Sequence, residues 1–194
     1  MPARDVFPSI MTRLKSGLPI AVFVVTIALV TSSVSIAGAR EPFLCLDAHE
    51  DVLEKVVGRG DELDGFLART QATIPNWRRG GIDAVWFAAW IDPWHAREDN
   101  TAAYAWELIR MFRWLERRHA DDLKICDTAA GVRQAVAMGY VAALLGIEGG
   151  AALDSDPRLL RGFREAGVRY ITLTWRGNVP WAGSCEPMHG EPEM

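Results

Sequence analysis

Four short apolar runs, each ending at residues able to do chemistry, constrain this chain more than any other feature. They are Pro42–Asp47 (PFLCLD), Ile82–Ile91 (IDAVWFAAWI), Tyr140–Ile147 (YVAALLGI) and Val168–Leu173 (VRYITL). Short apolar runs rich in β-branched and aromatic residues and bounded by Gly, Pro or Asp read as strands. Helical patterns lie between them. Tyr104, Leu108, Met111, Phe112 and Leu115 recur at helical spacing within Asn100–His119, which predicts a long amphipathic helix. Thr128–Gly139 and Pro157–Ala166 read as shorter helices, closed by Gly139 and Gly167. Asp61–Gly80 is polar and reads as helix pieces and loop.

Strands alternating with helices imply an α/β fold with a parallel sheet of right-handed βαβ units. Runs that are apolar throughout suit strands covered on both faces. Just past the run ends stand His49 and Asp51, Asp92 and His95, Glu148, and Arg176 with Asn178. A (β/α)8 barrel builds its site in this way, at the C-terminal ends of its strands. An open doubly wound sheet would do the same, but no G-x-G-x-x-G or Walker loop follows a strand here.

The first 39 residues are set apart from the fold. Arg4, Arg13 and Lys15 precede the apolar stretch Leu18–Val30, and Ala37-Gly38-Ala39 offers an A-x-A cleavage site. This is the pattern of a signal peptide over residues 1–39, and it predicts a secreted or periplasmic protein. If the segment is retained, it becomes an N-terminal membrane anchor, although the run is short of the roughly 20 apolar residues of a spanning helix.

Removing that segment takes away Arg4, Arg13, Lys15 and Asp5, so 21 basic and 25 acidic residues become 18 and 24. Such an acidic balance argues against nucleic-acid binding. Export implies an oxidising compartment, yet Cys45, Cys126 and Cys185 are an odd set without repeated spacing. They form neither a disulfide framework nor a zinc-finger pattern. Cys45, within the first apolar run, is expected to be a small buried hydrophobe.

The candidate chemistry centres on His49-x-Asp51 at the end of the first strand. Residues two apart on an extended segment face the same side, so imidazole and carboxylate can grip one Zn2+ or similar ion. With four His in the chain, such a pair is weak evidence alone; its place at a strand end strengthens it. Glu148, followed by Gly149 and Gly150, ends the third strand. A carboxylate there could bridge two metals, or serve only in a loop salt bridge.

Leu46-Asp47-Ala48-His49-Glu50-Asp51, Gly80-Gly81-Ile82-Asp83-Ala84, Gly146-Ile147-Glu148-Gly149-Gly150 and Gly167 to Thr174 (GVRYITLT) resemble, in order and spacing, the membrane (renal) dipeptidase family, zinc metallopeptidases of the M19 type. The resemblance runs from about residue 43 to 182. It implies a (β/α)8 barrel with two zinc ions that hydrolyses dipeptides, including some with a D-residue on the C-terminal side. His49 and Asp51 match the strand-one ligands of one zinc, and Glu148 matches the catalytic carboxylate bridging both. Family members carry Thr-His after the fourth strand, where this chain has Thr174-Trp175. Trp175 cannot ligate metal or accept a proton, so it implies an altered substrate-binding pocket. The family's two further zinc histidines and its later substrate-binding Arg and Asp have no counterparts here.

The expected architecture is therefore a (β/α)8 barrel truncated to about four βα units, spanning residues 40–182, with an irregular tail at 183–194. A complete barrel of this type needs about 200–250 residues. Two such halves could join as a homodimer to restore eight strands. The alternative to a zinc dipeptidase is a catalytically inactive half-barrel remnant or binding protein. A deaminase or phosphotriesterase relative is disfavoured, because such enzymes commonly carry His-x-His on strand one. His95 reads as a solvent-exposed loop residue, His119 as a cation at a helix C-terminus, and His189 as part of the tail. Trp86, Trp90, Trp106 and Trp114 are assigned mainly to core packing. Ser184 lacks the partners of a serine nucleophile.

Overall fold

The structure, a computed structural model, describes residues 43–59, 63, 71–92 and 100–186. The signal segment, His95, His189 and the tail beyond residue 186 lie outside the described residues. The chain divides into Met1–Phe43 and Leu44–Met194, and every element below belongs to the second unit. Among the described residues no helix is long and apolar enough to cross a membrane.

The elements in order are β1 (Leu46–Glu50), α1 (Leu53–Arg59), α2 (Ile74–Gly80), β2 (Ala84–Trp90), α3 (Thr101–Arg118), β3 (Leu123–Ile125), α4 (Ala129–Ala137), β4 (Val141–Glu148), a 3-10 turn (Gly150–Leu153), α5 (Leu159–Glu165) and β5 (Val168–Ile171). All strand pairs are parallel: β1 with β2, β2 with β4, and β4 with both β3 and β5. The helix starts follow their caps. Thr73 Oγ1 accepts from Asn76 N ahead of α2, and Thr128 Oγ1 accepts from Gly131 N ahead of α4. Each satisfies one of the amide donors that a helix start leaves unpaired.

The four strands expected from the sequence stand side by side as β1-β2-β4-β5, the order of successive barrel strands. The sequence reading missed α1 and β3. β3 has only three residues and meets only the N-terminal end of β4, pairing Leu123 with Val141 and Ile125 with Ala143. β5 takes the C-terminal part of the same edge: Val141 N donates to Asp122 O, Cys126 N donates to Ala143 O, and Thr172 N donates to Ile147 O. Odd-numbered residues of a strand turn their backbone groups to one side, so β3 and β5 follow one another along that side. Arg169 ties them together, its guanidinium pairing with the Asp127 carboxylate and carbonyl.

The outer face of the sheet is the main core. Val85, Phe87 and Ala89 of β2, Ile91 just after it, and Val141, Ala143, Leu145 and Ile147 of β4 are buried with Leu53, Leu108, Phe112, Leu115 and Phe163. The rings of Trp77 and Phe112 lie 5.7 Å and 5.2 Å from Phe87. The opposite face is lined at its N-terminal end by Ala84, Ala142 and Leu144, where α4 packs through Val132 and Ala135. A cavity of about 460 Å3 between Leu44, Leu46, Trp86, Leu144 and the start of α4 opens onto this inner face.

Two expectations are corrected at β1. The strand was expected to be buried over residues 42–47 with Cys45 inside the core. It runs from Leu46 to Glu50 instead, Leu46 is 44% exposed, and Cys45 is exposed. The physical reason is its position: β1 pairs only with β2, and among the described residues no strand covers its other edge. Trp114 likewise leaves the core, at 40% exposure on α3, whereas Trp106 packs on Phe163.

Candidate metal centre

A bulge in β1 makes the site. Leu46 and Asp47 pair with Ala84 and Val85, but Glu50 pairs with Phe87. Three residues of β1 thus pass two of β2, and one extra residue reverses the side-chain alternation beyond it. Glu50 turns to the outer face and His49 and Asp51 turn inward. Asp47 Oδ1 accepts from His49 N across the irregularity. On the facing strand, Glu148 is the last residue of β4 and lies level with Trp90 of β2.

His49, Asp51 and Glu148 offer ligand atoms that all lie within 4.8 Å of one another. His49 Nε2 is 3.0 Å from Glu148 Oε2 and 3.2 Å from Asp51 Oδ1. Asp51 Oδ1 is buried and receives no hydrogen bond of proper geometry. One imidazole and two carboxylates, with a buried carboxylate oxygen lacking a donor, match a divalent cation of the zinc type. The electrostatics agree. Burial, and then the negative charge of Asp51, push the Glu148 carboxyl above its ordinary range, while His49 pulls it back. A cation among the three groups would relieve both effects.

The two glycines after Glu148 hold the strand end in place. Gly149 sits at φ 110°, where an L side chain is strained, and its N donates to Thr172 Oγ1 at 2.8 Å. A Cβ on Gly150 would come within 2.2 Å of Leu173 O and 2.6 Å of the Trp181 ring. The segment after β5 crosses here, and only glycine admits it.

The structure brings the three candidates from the sequence together, and it adds Tyr170, which the sequence reading did not single out. Its hydroxyl lies 3.2 Å from His49 Nδ1, on the side of the imidazole away from the carboxylates. Burial, and then the charges of Glu148 and Asp51, push its pKa up to about 12, so the phenol keeps its proton. The available signal was its phase: Tyr170 pairs with Gly146, two residues before Glu148 on the inner face.

Trp90, assigned to the core by sequence, instead stands at the inner mouth with its indole N–H buried and without an acceptor. Trp175 meets it edge-on at 5.1 Å, and the Arg176 guanidinium lies 5.0 Å above the Trp175 ring. Arg176 and Asn178 are turned to structural work: Arg176 pairs with Glu186 and Asn178 Oδ1 accepts from Ser184 N. Residues 183–186 have no regular structure, yet Ser184 Oγ donates to Trp175 O and so steadies that indole's backbone. His119 is buried at the end of α3, its N–H bonded to Leu115 O.

A sequence model described as "Membrane dipeptidase (Peptidase family M19)" matches residues 39–193. The chain belongs to the membrane dipeptidase family. Among curated relatives, Dipeptidase 3 of Rattus norvegicus is 33% identical over 119 residues, covering 61% of this chain and 23% of the relative. Dipeptidase verJ of Clonostachys rogersoniana is 28% identical over 162 residues, covering 75% and 42%. The chain thus spans between about a quarter and two fifths of the length of these relatives.

Solved structures share the fold. The probable dipeptidase PvdM from Pseudomonas aeruginosa superposes with a TM-score of 0.66 at 20% identity, covering 76% of this chain and 38% of that one. A metallopeptidase from Rhodobacter sphaeroides, liganded with a phosphinate mimic of the dipeptide L-Ala-D-Ala, gives 0.54 at 23%, covering 69% and 46%. The parallel α/β sheet of this chain is therefore a fold it shares with solved dipeptidases.

Proposed function

We propose that this chain carries the first part of a zinc-dependent dipeptidase site, with His49, Asp51 and Glu148 as metal ligands and dipeptides as substrate. The observation that supports this reading is the convergence of the three ligand atoms within 4.8 Å at the C-terminal ends of β1 and β4, in a family defined by dipeptidases. Zinc held there would supply a Lewis acid for the scissile carbonyl and hydroxide near neutral pH.

The chain's own residues do the rest. His49 and Asp51 hold one ion from β1. Glu148 faces both and would supply a further carboxylate ligand, its charge balanced by a bound cation. Trp90 and Trp175 form an aromatic wall beside Glu148, with the unpaired indole N–H of Trp90 as a donor for the substrate's carbonyl or carboxylate. Trp175 widens apolar contact where family members use a polar residue, and favours dipeptides with an apolar side chain.

Three ligands leave a four-coordinate shell incomplete, and two ions need more still. The remaining ligands are proposed to come from positions in the greater part of the relatives' length that this chain does not span. A secreted or periplasmic location, with the N-terminal segment as signal or anchor, fits a dipeptidase acting outside the cytoplasm. Pairing of two copies would give a homodimer.

The test is zinc content together with hydrolysis of a panel of L,L- and L,D-dipeptides. Zinc bound at or above one equivalent, with hydrolysis abolished by chelator and by His49→Ala, supports the enzyme. Stable protein that binds no zinc overturns it in favour of an inactive remnant.

A further inference from the structure

The inner face of β4 is open at Gly146 for a reason that points to the metal centre. A Cβ on Gly146 would lie 2.1 Å from Tyr170 Cζ and 2.2 Å from Cε1, so the phenol ring rests directly on the glycine backbone. Trp86 closes the other side, its ring 5.1 Å from that of Tyr170 and tilted by 54°. Held in this slot, the ring delivers its hydroxyl to His49 Nδ1 at 3.2 Å. The other nitrogen, Nε2, faces Glu148 and Asp51.

A neutral imidazole has one N–H and one lone pair, and which nitrogen carries the proton is set by its partners. Without metal, a neutral His49 carrying its proton on Nε2 would donate to Glu148 Oε2, 3.0 Å away, and leave Nδ1 as an acceptor in need of a donor. With metal on Nε2, that nitrogen must present its lone pair, the proton moves to Nδ1, and Nδ1 then needs an acceptor. A phenol hydroxyl serves in both states by rotating its hydrogen; a carboxylate or a backbone N–H would favour only one.

We propose that Tyr170 is a positioning residue of the metal centre, seated by Gly146 and Trp86, whose hydroxyl donates to His49 Nδ1 in the metal-free protein and accepts from it when Nε2 ligates a metal ion. It acts through His49 and touches neither metal nor substrate. The proposal rests on the metal-centre reading above. Partners of this kind behind a ligating histidine change metal affinity by about 10–100-fold when removed.

The experiment titrates the full chain with Zn2+ against a competing chelator, for wild type, His49→Ala, Tyr170→Phe, Tyr170→Ala, Gly146→Ala and the double variant Gly146→Ala/Tyr170→Ala. Circular dichroism first establishes that each is folded. Tyr170→Phe keeps the ring and loses the hydroxyl, and is expected to weaken Zn2+ by about 10–100-fold. Gly146→Ala is expected to match Tyr170→Ala, because the new methyl displaces the ring. The double variant is expected to bind no more weakly than Tyr170→Ala alone, since no ring remains to displace. In zinc-loaded wild type, long-range 1H–15N spectra are expected to show the His49 proton on Nδ1, and in metal-free protein on Nε2.

Zn2+ affinity unchanged within about twofold in Tyr170→Phe, with binding still lost in His49→Ala, overturns the positioning role and leaves the metal centre intact. Wild type that binds no Zn2+, or binds it equally well as His49→Ala, overturns the metal centre and the role of Tyr170 with it. A His49 proton that stays on Nε2 in the zinc-loaded protein overturns the tautomer exchange.

Discussion

Along β2 and the residue after it, Val85, Phe87, Ala89 and Ile91 face outward and Ala84, Trp86, Ala88 and Trp90 face inward, and the two sets solve different problems. The outward set is buried in the main apolar core, packed on α1 and α3 and, at Phe87, on Trp77 of α2. The inward set grades along the strand. Ala84 sits under α4, Trp86 braces Tyr170, and Trp90 stands beside Glu148 with an indole N–H lacking an acceptor. One face spends its composition on stability, and the other leaves polar groups unsatisfied at its C-terminal end. Unsatisfied groups persist where a ligand completes them.

The contrast is broken most strongly by exchanging what each face is good at. Phe87 is fully buried between Trp77 and Phe112, so Phe87→Ala is expected to cost about 3–5 kcal/mol of stability in urea unfolding. Its neighbour on the other face, Trp86, is only half-buried. Its truncation is expected to cost less stability and more metal affinity, through Tyr170. Equal stability losses at the two positions would mean that the inner face is core like the outer.

Glu148→Gln comes next and reverses the sign. The carboxyl is pushed above its ordinary range by burial and by Asp51, so its ionised form opposes folding at neutral pH. In metal-free protein the glutamine variant is expected to melt at the same temperature or higher than wild type. Zn2+ affinity is expected to fall by about 100-fold or more, as a proposed metal ligand is lost. A variant both less stable and equally good at binding Zn2+ would make Glu148 a structural salt-bridge residue.

Gly150→Ala is smaller. The added methyl meets Leu173 O at 2.2 Å, a backbone atom that cannot swing away, and about 2 kcal/mol of destabilisation is expected from such overpacking. Because the crossing segment carries Trp175 and Trp181, dipeptide KM is expected to rise more than kcat falls.

These faces were unequally legible in the sequence. The strands are written as short runs apolar along their length and bounded by Gly, Pro or Asp, and β2, β4 and β5 were found from them to within two residues at each end. His49, Asp51 and Glu148 were singled out because they stand just past the ends of apolar runs. β3 was not, since Leu123-Lys124-Ile125 offers three residues and no periodicity. Its existence depends on the edge of β4 that β5 leaves uncovered. The bulge in β1 was equally hidden. Read as a regular strand, Leu46 to Glu50 would turn His49 outward, and only pairing with β2 shows the extra residue. Tyr170 was missed because its role arises from the absence of a side chain at Gly146 on another strand, a relation no local pattern encodes.

The bulge carries one last consequence, on the outer side. By turning Glu50 away from the site it places that carboxyl against Asp47 and beneath Trp77, and burial followed by the Asp47 charge raises its pKa to about 7 from the model-compound 4.5. The folded state therefore holds this proton more tightly than the unfolded chain. The resulting stability is complete below about pH 4.5 and is lost as pH rises through about 7. Solvent still reaches the group, so screening holds the effect to about 1–2 kcal/mol. Metal-free wild type is expected to show urea midpoints falling between pH 4.5 and 8. In Glu50→Gln, which cannot ionise, that part of the slope is expected to vanish, and the variant is expected to be the more stable protein at pH 8. Parallel curves would mean that Glu50 and Asp47 do not share this pocket, and that the irregularity in β1 does not turn the strand as described.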